Sequence, residues 1–346
     1  MKSVLVFATM VHLAASSCLN LQNLVNFGDS FSDENRLNYI YEHQGLPPAG
    51  TILPENGNTT TSGGYKWPRM VARKTGAKSF NYAVGGATCS NKIVERQFVL
   101  TPGKPFPSIL DEQVPAFKAD LEFDEVYGNR TADNTAYAVL IGGNDLTVNG
   151  FLTDSNARDT NITSYVSCVW DVFDALYETG GRHFIAITPP AAERSPAYLI
   201  PEDGGRLDNP TWFNKTAYNM TDYNYKLMEY LTSAKTMLQY GVPFQLIVEK
   251  RWPGATFSFF DLHGLMTDML KTPEKYIDAP ANITGHYRHC EIGEFLDCPV
   301  EKKARESFFW FDELHVSERV EEKVSDEFIK LLAQESKYGK TYRSWT

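Results

Sequence analysis

Ser30, Asp312 and His315 are the residues of this chain whose types and spacing point to chemistry. Ser30 stands in Gly28-Asp29-Ser30-Phe31-Ser32, directly after the apolar run 24–27. A serine hydroxyl is a poor nucleophile at neutral pH. It needs a base within hydrogen-bond reach, and that base needs a partner to fix its tautomer. Asp312-Glu313-Leu314-His315, far down the chain, supplies both groups. Their three-residue separation predicts one helical turn with both side chains on one face. Between these ends lie Asn81-Tyr82-Ala83-Val84-Gly85-Gly86-Ala87 and Ile141-Gly142-Gly143-Asn144-Asp145. Each reads as an apolar strand running into a glycine turn, and the second adds a side-chain amide. Those are donors of the kind an oxyanion hole requires. Each residue alone has an ordinary reading: Ser30 as a helix cap, His315 as a surface histidine, Asp312 as a capping carboxylate, Asn144 as a turn residue. The set argues for acyl transfer.

Such a constellation needs a scaffold that presents four strand or turn ends to one place. Apolar runs at 24–27, 80–84, 137–141, 184–187 and 244–248 read as five buried strands. Helical patterns fall between them at 67–75, 109–121, 165–177 and 218–240. A last amphipathic helix is expected from Ser317, its cap, to residue 334, with Val320, Val324, Phe328, Leu331 and Leu332 as its apolar stripe. Strands alternating with helices imply a mostly parallel sheet covered on both faces, and hence a three-layer α/β/α fold. In such sheets the site lies beyond the carboxyl ends of the strands. Ser30, Gly86 and Asn144 all fall at such ends.

The four blocks, in this order, resemble the GDSL-type SGNH esterases and lipases. Block one reads Phe27-Gly28-Asp29-Ser30-Phe31-Ser32-Asp33-Glu34-Asn35, with Phe31 where leucine is usual. The last block reads Trp310-Phe311-Asp312-Glu313-Leu314-His315-Val316-Ser317-Glu318, with Val316 where many relatives have proline. Neither departure touches a reacting atom. The resemblance implies an SGNH, flavodoxin-like fold with a five-stranded central sheet. It implies Ser30 as nucleophile, His315 as base and Asp312 as its orienting partner. It also implies an oxyanion hole made by the backbone N–H groups of Ser30 and Gly86, with Gly85 as fallback, and by the Asn144 amide. Asp145 and Asp29 are expected to order their turns. Within the family the strongest resemblance is to secreted fungal acetyl esterases of carbohydrate esterase family sixteen, which act on acetylated plant-wall oligosaccharides. A secreted lipase or phospholipase is the alternative. A catalytically silent carbohydrate-binding glycoprotein is disfavoured by the intact set of residues.

The chain has 346 residues, 42% of them hydrophobic and 13% aromatic, enough for a large core. Met1-Lys2-Ser3, an apolar stretch to Ala15, and small residues after it read as a signal peptide over 1–18. That leaves one hydrolase domain over 19–346, with no repeat or linker. Six Asn-x-Thr sequons, at Asn58, Asn129, Asn161, Asn214, Asn219 and Asn282, fit a glycosylated, secreted protein. The net charge of −10 argues against nucleic acid and anionic membranes as partners. A monomer acting on a small ester, with no cofactor, is the expectation.

Of five cysteines, Cys18 lies at the signal boundary. The remaining four suit an oxidising compartment and permit three pairings. Cys290 and Cys298 would close a short loop, leaving Cys89 with Cys168. His286-Tyr287-Arg288-His289-Cys290 has the look of a metal-ligand cluster. It lacks a fourth ligand at matching spacing, so no metal is expected. Asp261-Leu262-His263 is a second Asp/His pair without a glycine-flanked serine, and a packing or capping role is expected for it. No Gly-x-Ser-x-Gly elbow or His-Glu-x-x-His occurs, which argues against the α/β-hydrolase fold and a zincin. The polar, turn-rich loops 44–64 and 202–214 are candidates to rim a pocket.

Overall fold

Parallel strands buried on both faces are nearly all apolar, and the first and third strands here are buried at every position. A computed structural model describes residues 19–97, 103–294 and 297–344. The expected signal segment, with Cys18, lies outside the described residues. The elements run in the order β1 (Asn23–Gly28), α1 (Arg36–His43), α2 (Trp67–Thr75), β2 (Lys78–Asn81), α3 (Val114–Asp120), α4 (Asp124–Tyr127), β3 (Thr135–Leu140), α5 (Ile162–Glu178) and β4 (His183–Ile187). They continue with α6 (Met220–Pro243), β5 (Thr256–Phe260), α7 (Leu262–Lys271), β6 (Asn282–His286), β7 (Phe308–Trp310), α8 (Glu318–Leu332) and β8 (Gly339–Arg343).

The main sheet has the order β2-β1-β3-β4-β5-β8. The first five strands are parallel, and β8 runs antiparallel to β5. A 2-1-3-4-5 parallel order is that of flavodoxin-like sheets, whose switch point falls between β1 and β3. β6 and β7 form a separate two-stranded sheet. Alternate side chains leave a strand on opposite faces, and two helical layers receive them. On one face Phe27 of β1 meets Phe117 of α3 at 5.7 Å, and Phe257 of β5 meets Phe173 of α5 at 4.6 Å. On the other, Phe260 of β5 packs on Phe328 of α8, which also meets Trp67 of α2 at 4.8 Å. Each fully buried ring contributes about 1.5–3 kcal/mol of transfer free energy.

The expected fifth strand is corrected by the structure. Residues Phe244–Val248 continue α6 as a π-helical turn. Only Leu246 of that run is buried, while Phe244 is 49% and Val248 63% exposed. Pro243 lacks an N–H and ends the regular α-helical ladder. Glu249 then donates to the Phe244 carbonyl five residues back. The strand itself is β5, Thr-Phe-Ser-Phe-Phe, entered through the Trp252-Pro253-Gly254 turn. The sheet also has a sixth strand, β8, whose half-exposed Gly-Lys-Thr-Tyr-Arg carries no strand-like apolar pattern. Edge pairing with β5 through the backbone is what makes it a strand. The expected helix 109–121 begins as a π-helical turn capped by Ser108 before α3. Ser317 stands at the N-cap of α8 but makes no side-chain capping bond.

Two disulfides join Cys89 to Cys168 and Cys290 to Cys298. The first ties the segment after β2 to α5 across 79 residues. Closing so long a loop restricts the unfolded chain, worth roughly 4.5 kcal/mol in the chain-entropy account. No helix among the described residues is long and apolar enough to cross a membrane.

Candidate active site

β1 ends at Gly28, and the chain turns sharply to present Ser30. Gly28 is required by a close approach: a Cβ there would lie 2.3 Å from the Leu140 carbonyl oxygen of β3. Gln113 holds the same residue from both sides, its amide accepting from Gly28 N–H at 3.0 Å and donating to Gly28 C=O at 2.8 Å. The buried Asp29 closes the turn by accepting from Phe31 N–H at 3.0 Å. Burial pushes its carboxyl up to about 6, against the pull of that hydrogen bond and the nearby His315. Thr61, from the 44–64 loop, donates to the Ser30 carbonyl at 2.8 Å.

His315 Nε2 lies 2.7 Å from Ser30 Oγ, across 285 residues of sequence. Its Nδ1 is 2.8 Å from Asp312 Oδ2 and 3.0 Å from Oδ1. The expected helical turn between Asp312 and His315 is not how they meet. The segment is a tight loop after β7, closed by Phe311 N–H donating to His315 C=O at 2.7 Å. Asp312 Oδ1 accepts from the backbone N–H of Leu314 at 2.9 Å and of His315 at 2.6 Å. This is an Asx-type turn, in which a short carboxylate substitutes for a backbone acceptor. Burial opposes ionisation of Asp312, but the His315 charge, its hydrogen bond and these two N–H groups hold the carboxyl below the usual aspartate value. The neighbouring Glu313 is buried, and its pKa is raised by burial and by the Asp312 charge. Its carboxylate accepts from Thr211 at 2.9 Å, so the 202–214 loop is fastened beside the site.

The glycine turn after β2 passes beside Ser30, a Cβ on Gly85 standing 3.7 Å from Ser30 Cβ. Gly85 N–H is taken by Asp33 Oδ2 at 2.7 Å. The fallback donor is therefore occupied, while the backbone N–H groups of Ser30 and Gly86 have no protein acceptor among the described residues. Gly86 has φ +85°, a left-handed conformation suited to glycine, and a Cβ there would meet the Phe106 ring at 2.4 Å. Asn144 Nδ2 donates to Ala87 C=O at 2.9 Å, which uses one of its two hydrogens. Asp145 is fully buried and accepts from Cys89 N–H at 2.9 Å. Burial, with the Asp29 charge adding to it, pushes its carboxyl up to about 7.

The other sequence candidates lie elsewhere. Asp261 caps α7 through Gly264 N–H at 2.8 Å and pairs with Lys235, while His263 Nε2 faces Glu193 at 3.0 Å. The two do not form a unit. The rings of His286 and His289 lie tilted at 50° with centroids 4.4 Å apart, but His289 faces Glu301 and Cys290 is committed to its disulfide. Burial, with His289 adding to it, lowers the His286 pKa to about 4. Sequence reasoning missed Gln113, Asp33, Thr61, Glu313 and Arg96. Asp33 and Glu313 stand inside the first and last blocks without a role assigned there, whereas Gln113, Thr61 and Arg96 belong to no block and reach the site by contacts 85, 31 and 48 residues away in sequence.

A flavodoxin-like sheet with a serine, a histidine and an aspartate in hydrogen-bonded series at its carboxyl edge defines a class of acyl-transferring hydrolases. The sequence pattern of the family described as GDSL-like Lipase/Acylhydrolase matches residues 24–328, and the chain belongs to that family. It is a carboxylic ester hydrolase. It is 39% identical over 351 residues, covering 100% of both chains, to an acetylesterase of Hypocrea jecorina. It is 28% identical over 186 residues to an acetylesterase of Thermothelomyces thermophilus, covering 51% of this chain and 56% of that one. A solved acetyl xylan esterase from Geobacillus stearothermophilus is similar at 12% identity and a TM-score of 0.39, over 92% of this chain and 98% of that one.

Proposed function

We propose that this protein is an acetyl esterase with Ser30 as its nucleophile, acting on acetylated sugar hydroxyls of plant-wall oligosaccharides. One observation carries the reading: Ser30 Oγ, His315 Nε2, His315 Nδ1 and Asp312 Oδ2 form a continuous series at 2.7 and 2.8 Å. Asp312 accepts from Nδ1–H, which leaves the Nε2 lone pair facing the serine hydroxyl. His315 takes the Ser30 proton as Oγ attacks the ester carbonyl. The tetrahedral oxyanion accepts from the N–H groups of Ser30 and Gly86 and from the second amide hydrogen of Asn144. The C–O bond to the sugar then breaks, and the departing oxygen receives the proton from His315. Water, deprotonated by the same imidazole, releases acetate and restores Ser30.

The acetyl preference is supported by the full-length likeness to a fungal acetylesterase. The polar 44–64 and 202–214 loops, both hydrogen-bonded into the site, suit sugar hydroxyls as partners. Export is part of the proposal: removal of residues 1–18, one domain over 19–346, a monomer, and glycans on the sequons. Asn58, Asn129, Asn161, Asn214 and Asn219 are exposed and Asn282 half-buried. Nitrophenyl esters of increasing acyl length, with acetate release from acetylated xylo-oligosaccharides measured alongside, test the substrate class. Activity is expected to fall steeply from acetyl to butyryl. Peak activity on long chains without acetate release from sugars would replace this reading by that of a lipase.

A further inference from the structure

Arg96 follows Lys92-Ile93-Val94-Glu95, carries no motif, and lies outside every block that marks the family. Its Nη1 nevertheless donates to two oxygens at once: the Asn144 side-chain Oδ1 at 2.5 Å and the Gly86 carbonyl at 2.9 Å. The first is the oxygen end of the amide proposed to hold the oxyanion, and the second is the carbonyl of the residue whose N–H is proposed to hold it. The guanidinium leans on Phe106, 5.4 Å from the ring centroid, and Phe106 N–H donates to Arg96 C=O. No carboxylate of the described residues pairs with Arg96 at salt-bridge distance. Burial lowers its pKa, and the charges of Tyr198, Asp145 and Asp29 only partly oppose this.

An amide in a hydrolytic site has two orientations, and only one presents N–H to an oxyanion. A guanidinium has donors and no acceptor, so it selects the orientation with Oδ1 facing it. Ala87 C=O, an acceptor, selects the same orientation from the amide nitrogen. One hydrogen of Nδ2 is thereby spent on Ala87 and the other is left for the substrate. Drawing electron density toward Oδ1 also makes that remaining N–H a stronger donor. The bond to Gly86 C=O fixes the left-handed turn that aims the Gly86 N–H.

We infer that Arg96 is a positioning residue for transition-state stabilisation: one guanidinium nitrogen bridges Gly86 and Asn144 and fixes both as oxyanion donors. The inference rests on the oxyanion-hole reading above. Because the oxyanion exists only at the transition state, loss of Arg96 is expected in kcat and not in KM.

The test measures kcat and KM on nitrophenyl acetate for the wild type, Asn144→Ala, Arg96→Met, Arg96→Lys and the Asn144→Ala/Arg96→Met double variant, with Tm for each. Arg96→Met is expected to lower kcat about 10–10²-fold with KM within about threefold, and to cost several-fold less in the Asn144→Ala background, where only its hold on Gly86 remains to be lost. Arg96→Lys, which keeps the charge and a donor, is expected to recover part of the loss. An Asn144→Ala variant with wild-type kcat would overturn the oxyanion reading and this inference with it. A loss there, joined to equal Arg96 losses in both backgrounds or a loss confined to KM, would overturn the inference alone. Should Arg96→Met fail to fold, the same two-background comparison with Arg96→Lys decides the matter on the same criteria.

Discussion

Replacing Asp312 by asparagine changes one atom and should nearly abolish turnover. Asp312 Oδ1 accepts two backbone N–H groups, those of Leu314 and His315. An asparagine must keep its oxygen there, since turning its NH₂ toward those donors would oppose N–H to N–H. The amide nitrogen then takes the place of Oδ2, 2.8 Å from His315 Nδ1. Nδ1 then faces an N–H donor and is favoured to accept, since the retained Oδ1, 3.0 Å away, already accepts two backbone N–H groups. The imidazole proton moves to Nε2, the atom that faces Ser30 Oγ at 2.7 Å. The base has become a donor and cannot take the serine proton. The loss of the correct tautomer in such a triad lowers kcat about 10⁴-fold, which is about 5.4 kcal/mol of activation free energy. KM should stay within about threefold, because no substrate contact is lost. The assay is steady-state hydrolysis of nitrophenyl acetate with Tm measured in parallel. A kcat within about tenfold of wild type, on a folded variant, would refute the tautomer argument and reduce Asp312 to a turn residue.

Other outcomes follow from the same geometry. Gly86→Ala must place a methyl on the Phe106 ring at a left-handed φ, a conformation that costs an L-residue about 1–2 kcal/mol; both Tm and kcat should fall, and unchanged kinetics would remove Gly86 from the site. The buried Asp145 has a pKa of about 7, raised from the ordinary 3.8 by burial first and by Asp29. Its native form therefore binds the proton more tightly than the unfolded chain does. The associated stabilisation is complete below the unfolded value and is lost as pH rises through about 7, at most roughly 4 kcal/mol. Asp145→Asn should flatten the decline of Tm between about pH 4 and pH 7; an unchanged slope would contradict this.

The candidate site was more legible in the sequence than the edges of the fold were. Ser30, Gly86, Asn144 and the Asp312/His315 pair stand at strand or turn ends because apolar runs must stop where the chain leaves the core. Glycines at those ends mark where no side chain fits. The run Phe244–Val248 misled because periodicity cannot distinguish a short buried strand from a helical extension. β8 was illegible because its order comes from pairing with β5. The meeting of Asp312 and His315 through an Asx-type turn also escaped, since a three-residue spacing fits a helix equally well. Gln113 and Arg96 were invisible for another reason. Gln113 acts on Gly28, 85 residues away, and Arg96 on Asn144, 48 residues away, and no local pattern encodes such a contact.

The most direct measurement is acetate release by Ser30→Ala from nitrophenyl acetate and from acetylated xylo-oligosaccharides, on protein whose Tm matches the wild type. Removing the nucleophile should lower kcat on both substrates by about 10⁶-fold, with only the residual effect of the oxyanion donors left. Release of acetate by the variant at a rate near that of the wild type would contradict the assignment of Ser30 as the attacking group.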